Sequence, residues 1–88
     1  MKFFYVYVLK SLSKSFLYIG FTSNLKIRLE EHNFGSEFST KPYFPFDLIH
    51  YEAYRNEQDA KRREMYFKTT KGKVTLRQML RNFFENKK

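Results

Sequence analysis

A small α+β domain is the fold class this 88-residue sequence predicts: a three-stranded antiparallel sheet flanked by helices, in the order ββαβαα. Three observations carry it. Phe3-Phe4-Tyr5-Val6-Tyr7-Val8-Leu9 is an unbroken apolar, aromatic and β-branched run, the pattern of a strand buried on both faces. A second short run of the same kind, Phe16 to Phe21, follows a polar turn, as in a hairpin. Beyond it, helix-capping residues twice precede stretches with helical spacing. The length leaves room for one core, so residues 1–88 are expected to form one domain.

The first run predicts the central strand, and Ser11-Leu12-Ser13-Lys14-Ser15 the turn into the second. Thr22, Ser23 and Asn24 are capping types. They open a helix from Leu25 to about Asn33, with Leu25, Leu29 and His32 on one face. Residues 34–45 hold a glycine, two prolines and several polar residues and read as a loop. Leu48 to Tyr54 reads as the third strand, polar on one face at His50 and Glu52. Asn56 is the expected N-cap of a helix to about Lys68, with Asp59 as its capping-box partner. Thr69-Thr70-Lys71-Gly72 is read as a break. A last helix is expected from Val74 to Glu85, with Leu76, Met79, Leu80 and Phe83 as its apolar stripe and Arg77 and Arg81 on the other side.

The hydrophobic share of 42% is enough for a folded core and excludes wholesale disorder. No apolar run has the length of a membrane span, roughly 20 residues, so no membrane association is expected. Met1-Lys2-Phe3-Phe4-Tyr5 is followed by no small-residue cleavage site, so no signal peptide is read. Without cysteine there is no disulfide, thiolate zinc site or cysteine nucleophile. A reducing compartment fits, and the expected location is cytoplasmic. The net charge of +8 is unevenly placed. Residues 1–60 hold seven basic and seven acidic side chains, whereas residues 61–88 hold ten basic and two acidic ones. Charge concentrated in this way attracts polyanions, nucleic acid first among them.

Several polar residues sit where packing alone would not put them. Glu64 lies four residues after Ala60 and three before Phe67, on or near the apolar face of its helix. A carboxylate there needs a partner, a cation or water. Arg28 and His32 share a helix face, either as an exposed basic pair beside Glu31 or as a phosphate clamp with a proton-handling neighbour. Tyr5, Tyr7 and Tyr18 lie on the hairpin strands. There is no glycine-rich phosphate loop, no HExxH and no paired-histidine spacing. Oxygen-ligated Mg²⁺ or Mn²⁺ suits this inventory better than zinc.

Tyr5-Val6-Tyr7, ten residues, then Tyr18-Ile19-Gly20 resembles the signature of the GIY-YIG nuclease superfamily. The following Phe21-Thr22-Ser23-Asn24-Leu25-Lys26-Ile27-Arg28, with His32 four residues on, is similar to that family's next segment. Ala60-Lys61-Arg62-Arg63-Glu64-Met65-Tyr66-Phe67-Lys68 resembles its A-x-x-x-E-x-x-x-K helix. The match spans nearly the whole chain and is most similar to the small stand-alone members. Tyr5 replaces the first glycine of the signature, whereas Tyr7 keeps its third position. Asn82 matches a C-terminal asparagine of some relatives by type only, and no role is carried over to it.

The resemblance implies a phosphodiester hydrolase, an endonuclease on DNA rather than RNA, with one Mg²⁺ or Mn²⁺ ion held by Glu64 as sole protein carboxylate. Arg28 would hold the scissile phosphate, and Tyr7, Tyr18 or His32 would act as base, the phenol's proton made more acidic by Arg28 and the metal. DNA repair or processing is the expected setting. Lys61, Arg62, Lys68, Lys71, Lys73, Arg77 and Arg81 are the expected nucleic-acid contacts, positioning the backbone without reading sequence. Specificity would then be weak, or set by a protein partner. Phe38, Tyr43, Phe44 and Phe46 are available either to stack on unpaired bases or to cap the core. An endoribonuclease, a non-catalytic nucleic-acid-binding module and a basic domain docking on an acidic protein are the alternatives.

Overall fold

The structure, a computed structural model, describes residues 1–86. Its elements are β1 (Phe4–Ser11), β2 (Leu17–Thr22), α1 (Leu25–Asn33), a 3-10 turn (Lys41–Tyr43), β3 (Phe46–Tyr54), α2 (Glu57–Phe67), α3 (Thr70–Met79) and α4 (Arg81–Glu85). The strands form one antiparallel sheet in the order β2-β1-β3. The longest apolar run is therefore the central strand, as its unbroken pattern requires.

The pleat of β1 sends alternate side chains into two cores. Val6 and Val8 face α2 and α3 and pack with Ile19, Ala60, Phe67 and Leu76. Tyr7 and Leu9 point the other way and join Phe46, Phe16, Tyr18, Leu25, Leu29, Tyr43 and Leu48 beneath α1 and the 3-10 turn. Val6, Tyr7, Val8 and Leu9 are all fully buried. A sheet sandwiched in this way buries polar groups of β1, the Tyr7 phenol in its middle and the Ser11 hydroxyl at its end.

Both helix starts read from the sequence are present. The Asn24 side chain accepts from the Ile27 N–H, and the Asn56 side chain accepts from the N–H groups of Gln58 and Asp59. Asp59 does not complete a capping box; its carboxylate takes Arg62 instead. β3 begins at Phe46, two residues before the expected Leu48, because Phe46 is buried against the core of the α1 side and pairs with Ser11.

The C-terminal helix differs most from expectation. The break after α2 is present but shorter than expected: α2 ends at Phe67, and Thr69 already caps α3, accepting from the Gly72 N–H, so Thr70, Lys71 and buried Gly72 lie inside the next helix. A Cβ on Gly72 would fall 1.7 Å from the Tyr66 carbonyl oxygen. Glycine is there because α2 and α3 touch backbone to backbone, not because the helix ends. A second break, not expected, falls at Leu80, which closes α3 and precedes α4. The expected stripe is accordingly split. Leu76 is buried and Leu80 packs against the core, whereas Met79 and Phe83 are exposed.

Polar His50 and Glu52 on β3 have a structural use. The Glu52 carboxylate accepts from Arg63 Nε at 2.9 Å, from Tyr54 Oη at 2.6 Å and from His50 Nε2 at 3.0 Å. Arg63 also lies 4.3 Å over the Phe67 ring. This network fastens α2 to β3. Burial alone would push the Glu52 carboxyl up, but the bonds from Arg63, Tyr54 and His50 outweigh it and hold the carboxyl down to about 2.

Candidate active site

Tyr7 is fully buried in the middle of β1, and its strand register sets what lies beside it. Gly20 of β2 is its direct partner. A Cβ on Gly20 would come within 2.4 Å of the Tyr7 hydroxyl and 2.8 Å of the Tyr18 ring. The glycine of the Tyr18-Ile19-Gly20 motif is thus a space requirement: it lets the Tyr7 phenol lie across β2. Tyr18 faces the same core, its ring centroid 6.1 Å from that of Tyr7 and 5.0 Å from that of His32.

Helix α1 supplies the other two residues from one face. His32 is fully buried and Arg28 half-buried, so they are not an exposed basic pair. His32 Nε2 stands 2.9 Å from the Tyr7 hydroxyl, and His32 Nδ1 stands 2.8 Å from Thr40 Oγ1. The partners assign the protons. Thr40 donates to the Glu37 carbonyl at 3.4 Å, so its oxygen accepts from His32 Nδ1–H. Nε2 is then a bare acceptor, and Tyr7 donates to it. Arg28 donates, at 2.8 Å each, to the carboxylates of Glu31 and Glu37, and its charge bears on the nearby Tyr7 phenol.

The result is a chain of polar contacts: Tyr7 to His32, His32 to Thr40, Thr40 to the Glu37 backbone, and the Glu37 carboxylate to Arg28, whose charge acts on the Tyr7 phenol. Among the described residues no buried side-chain nitrogen or oxygen is left without a partner. Satisfied networks of this kind fix side-chain geometry.

The electrostatics follow from burial. Burial pushes the Tyr7 phenol above its ordinary value, and Arg28, acting in the expected direction, opposes this without reversing it. Tyr7 is therefore a neutral donor here. Burial, then the Arg28 charge, lower His32, so its imidazole is neutral at pH 7 and ready to accept. Burial alone would lower Arg28 as well. Glu31, the nearby Tyr7 phenol and Glu37 outweigh that and raise it, so it stays charged. Hydrogen bonds from Ser39 and Arg28 lower the Glu37 carboxyl.

Glu64 approaches from the other side of the sheet. It shares a stripe of α2 with Lys61 and Lys68, and Lys61 lies 5.5 Å over the Phe21 ring of β2. This stripe therefore runs beside β2, the edge strand against which Tyr7 and Tyr18 also lie. The Glu64 side chain is 17% exposed and bonds Lys68 at 2.9 Å. Among the described residues it makes no hydrogen bond to Tyr7, Tyr18, Arg28 or His32. Nor do three histidine or acidic side chains gather anywhere among those residues. A single half-buried carboxylate already holding an exposed ammonium fits one hard cation that keeps most of its waters, as Mg²⁺ does.

The seven basic residues expected on nucleic acid separate into two sets. Lys61 is paired with Glu57, Arg62 with Asp59 and Lys68 with Glu64. Lys71, Lys73, Arg77 and Arg81 are exposed and form no ion pair among the described residues. Of the loop aromatics, Phe46 is buried, Tyr43 stacks on Phe16 at 3.9 Å, and Phe44 is partly exposed. Phe38 stands 90% exposed. The residues that sequence reasoning missed are Thr40 and Glu37. They lie in the loop after α1, where no periodicity or motif marks a side chain that returns to a helix.

A buried polar cluster laid across a small three-stranded sheet, on elements in this order, is the arrangement of a nuclease superfamily fold. The chain belongs to the GIY-YIG catalytic domain family, whose model matches residues 3–78, and hence to the GIY-YIG nuclease superfamily. It is similar to a UPF0213 protein of Clostridium perfringens, 40% identical over 65 residues that cover 73% of this chain and 69% of that protein. A UPF0213 protein of Pediococcus acidilactici is 37% identical over 82 residues, covering 90% and 83% of the two chains. A UPF0213 protein of Pediococcus pentosaceus is 42% identical over 66 residues, covering 74% and 68%. No solved structure gives a significant match.

Proposed function

We propose that the whole chain, residues 1–88, acts as one divalent-metal-dependent endonuclease module that hydrolyses phosphodiester bonds in DNA, in repair or processing, within the cytoplasm. The observation that carries this reading is the polar network, which joins the family's tyrosine and histidine positions directly and links the arginine to them through Glu37 and Thr40. Arg28 holds the scissile phosphate, which displaces Glu37 or Glu31 from the guanidinium. Tyr7 and His32 act as one base. The Tyr7 oxygen takes the proton of the attacking water while its own proton passes to His32 Nε2. Thr40 holds His32 in the tautomer that can receive it, and the nearby Glu31 and Glu37 carboxylates favour the imidazolium that results. Tyr18 packs against both rings and orients them. Glu64 is the residue that would hold one Mg²⁺ or Mn²⁺ ion; that ion would stabilise the leaving oxyanion. Sequence preference is weak, because these contacts address phosphate and not base edges.

The test is a cleavage assay of wild-type and Glu64→Ala proteins on single-stranded, duplex and branched DNA and on RNA, with Mg²⁺, with Mn²⁺ and with chelator. Cleavage that needs metal and is lost in Glu64→Ala, with DNA affinity nearly unchanged, is the expected outcome. Undiminished cleavage by the variant would overturn the assignment of Glu64, and cleavage confined to RNA would overturn the choice of DNA.

A further inference from the structure

Two cavities join at the turn of the hairpin, on the α3 side of the sheet. One, of about 430 Å³, is lined by the hairpin residues Lys10 to Leu17 together with Arg77 and Phe84. The other, of about 310 Å³, shares Ser15, Phe16, Leu17 and Arg77 with it and adds Lys73. Together they make a trough with four cations, Lys10, Lys14, Lys73 and Arg77, and no carboxylate in its lining. None of the four forms an ion pair among the described residues. Asp47 stands opposite Lys10 in the β1–β3 register, but it does not bond Lys10 or line the cavity.

The trough is built before any ligand arrives. Buried Ser11 accepts from the N–H groups of Ser13 and Lys14 and donates to the Tyr43 carbonyl, which fixes the turn. Lys14 is further held 5.4 Å over the Tyr43 ring. Arg77 lies 5.0 Å over the Phe84 ring. Such stacking orients a guanidinium and leaves its N–H edges open. Four unpaired cations beside an open polar channel suit a chain of phosphates better than one small anion. They also differ from the cations of α2, of which Lys61 and Arg62 are paired within the helix and Arg63 with Glu52 of β3.

We infer that this trough is a phosphate-binding subsite for the backbone of the DNA strand being cut, separate from the catalytic network. This rests on the nuclease reading above. Ser15 is three residues from Tyr18, so the trough lies about 10 Å along the strand direction at ~3.3 Å per residue. At an axial rise of ~3.4 Å per nucleotide that is roughly three nucleotides from the cut. The strand passes the outer edge of β2, between the network on one face and α3 on the other.

The experiment uses the full chain and a labelled DNA oligonucleotide that the wild-type protein cuts at a mapped position. Binding is measured in the Glu64→Ala background across a salt series, with and without Lys14→Ala and Arg77→Ala. The doubly substituted protein should bind on the order of tenfold more weakly, with a salt slope reduced by about one to two. Arg55→Ala, at the opposite end of β1, removes one charge without touching the trough and serves as the comparison. A neutral methylphosphonate linkage two to four nucleotides from the cut should weaken binding of the protein with an intact trough and leave that of the doubly substituted one unmoved. If the trough variants bind and respond to the neutral linkage as their parent does while wild-type cleavage persists, the subsite is wrong and the nuclease reading stands. If wild-type protein neither binds nor cuts DNA, both fall.

Discussion

Tyr7 shows how one strand residue can be core and, in the proposed reading, chemistry. Its ring fills the centre of the α1-side core, and its hydroxyl bonds His32. Tyr7→Phe keeps the packing and removes the relay. Cleavage should fall by roughly 10²–10⁴, the usual contribution of a positioned acid or base, with DNA affinity retained. Stability should drop by only about 1 kcal/mol, the typical net value of one hydrogen bond. The pH profile is a second readout. His32 must be neutral to accept the proton, and burial and Arg28 hold it below its ordinary value. The acid limb of wild-type cleavage should therefore fall below pH 6.5, with activity lost as pH drops through it. The family motif singled out Tyr7, Tyr18, Arg28, His32 and Glu64, and the structure gathers Tyr7, Tyr18 and His32 with Arg28 close by, whereas Glu64 bonds none of them among the described residues. Thr40 and Glu37 were not legible in the sequence, because a loop has no period from which a returning side chain can be read.

Elements were legible where burial alone decides and misread where backbone contact does. β1 and the hairpin follow from apolar runs that a central strand must have. Gly72 misleads because glycine signals a helix break in sequence, and here it signals close helix packing. Gly72→Ala should lower stability by about 3 kcal/mol or more, at or beyond the upper end of overpacking costs, because the obstructing atom is the Tyr66 carbonyl and not a movable side chain. Thermal or urea unfolding would measure it. The Glu52–Arg63 link between β3 and α2 has a pH signature of definite sign. The folded-state carboxyl, at about 2, lies below its ordinary 4.5, so its stabilisation is complete above pH 4.5 and is lost as pH falls toward 2. Glu52→Gln should cost about 2 kcal/mol at pH 7, less than the ~3–5 of a fully buried pair. It should also flatten the acid side of the stability curve.

At the scale of the molecule, charge is sorted by neutralisation as well as by sequence. Residues 61–88 carry the whole excess, but the cations of α2 are already paired, Lys61 and Arg62 with carboxylates of the helix and Arg63 with Glu52 of β3. Net charge along a sequence is visible; which cations are already paired depends on helical spacing and on strand neighbours. The unpaired set on α3, α4 and the hairpin turn should give DNA binding a salt slope of about −3 to −5, for four to six phosphates at ~0.7–0.9 each. Titration of a labelled oligonucleotide at several salt concentrations measures it, and a slope near zero would mean that these cations only face solvent.

Glu31 and Glu37 on Arg28 have a consequence for selectivity among anions. A free phosphate ion must compete with two carboxylates already seated on the guanidinium, with nothing else to hold it there. A phosphodiester tethered to a longer strand arrives at high effective concentration, because contacts elsewhere have already met the cost of association. The carboxylates thus act as a threshold that favours long polyanions over metabolite-sized ones. Inorganic phosphate and mononucleotides should be poor competitors, and oligonucleotide length should govern affinity more steeply than charge alone requires.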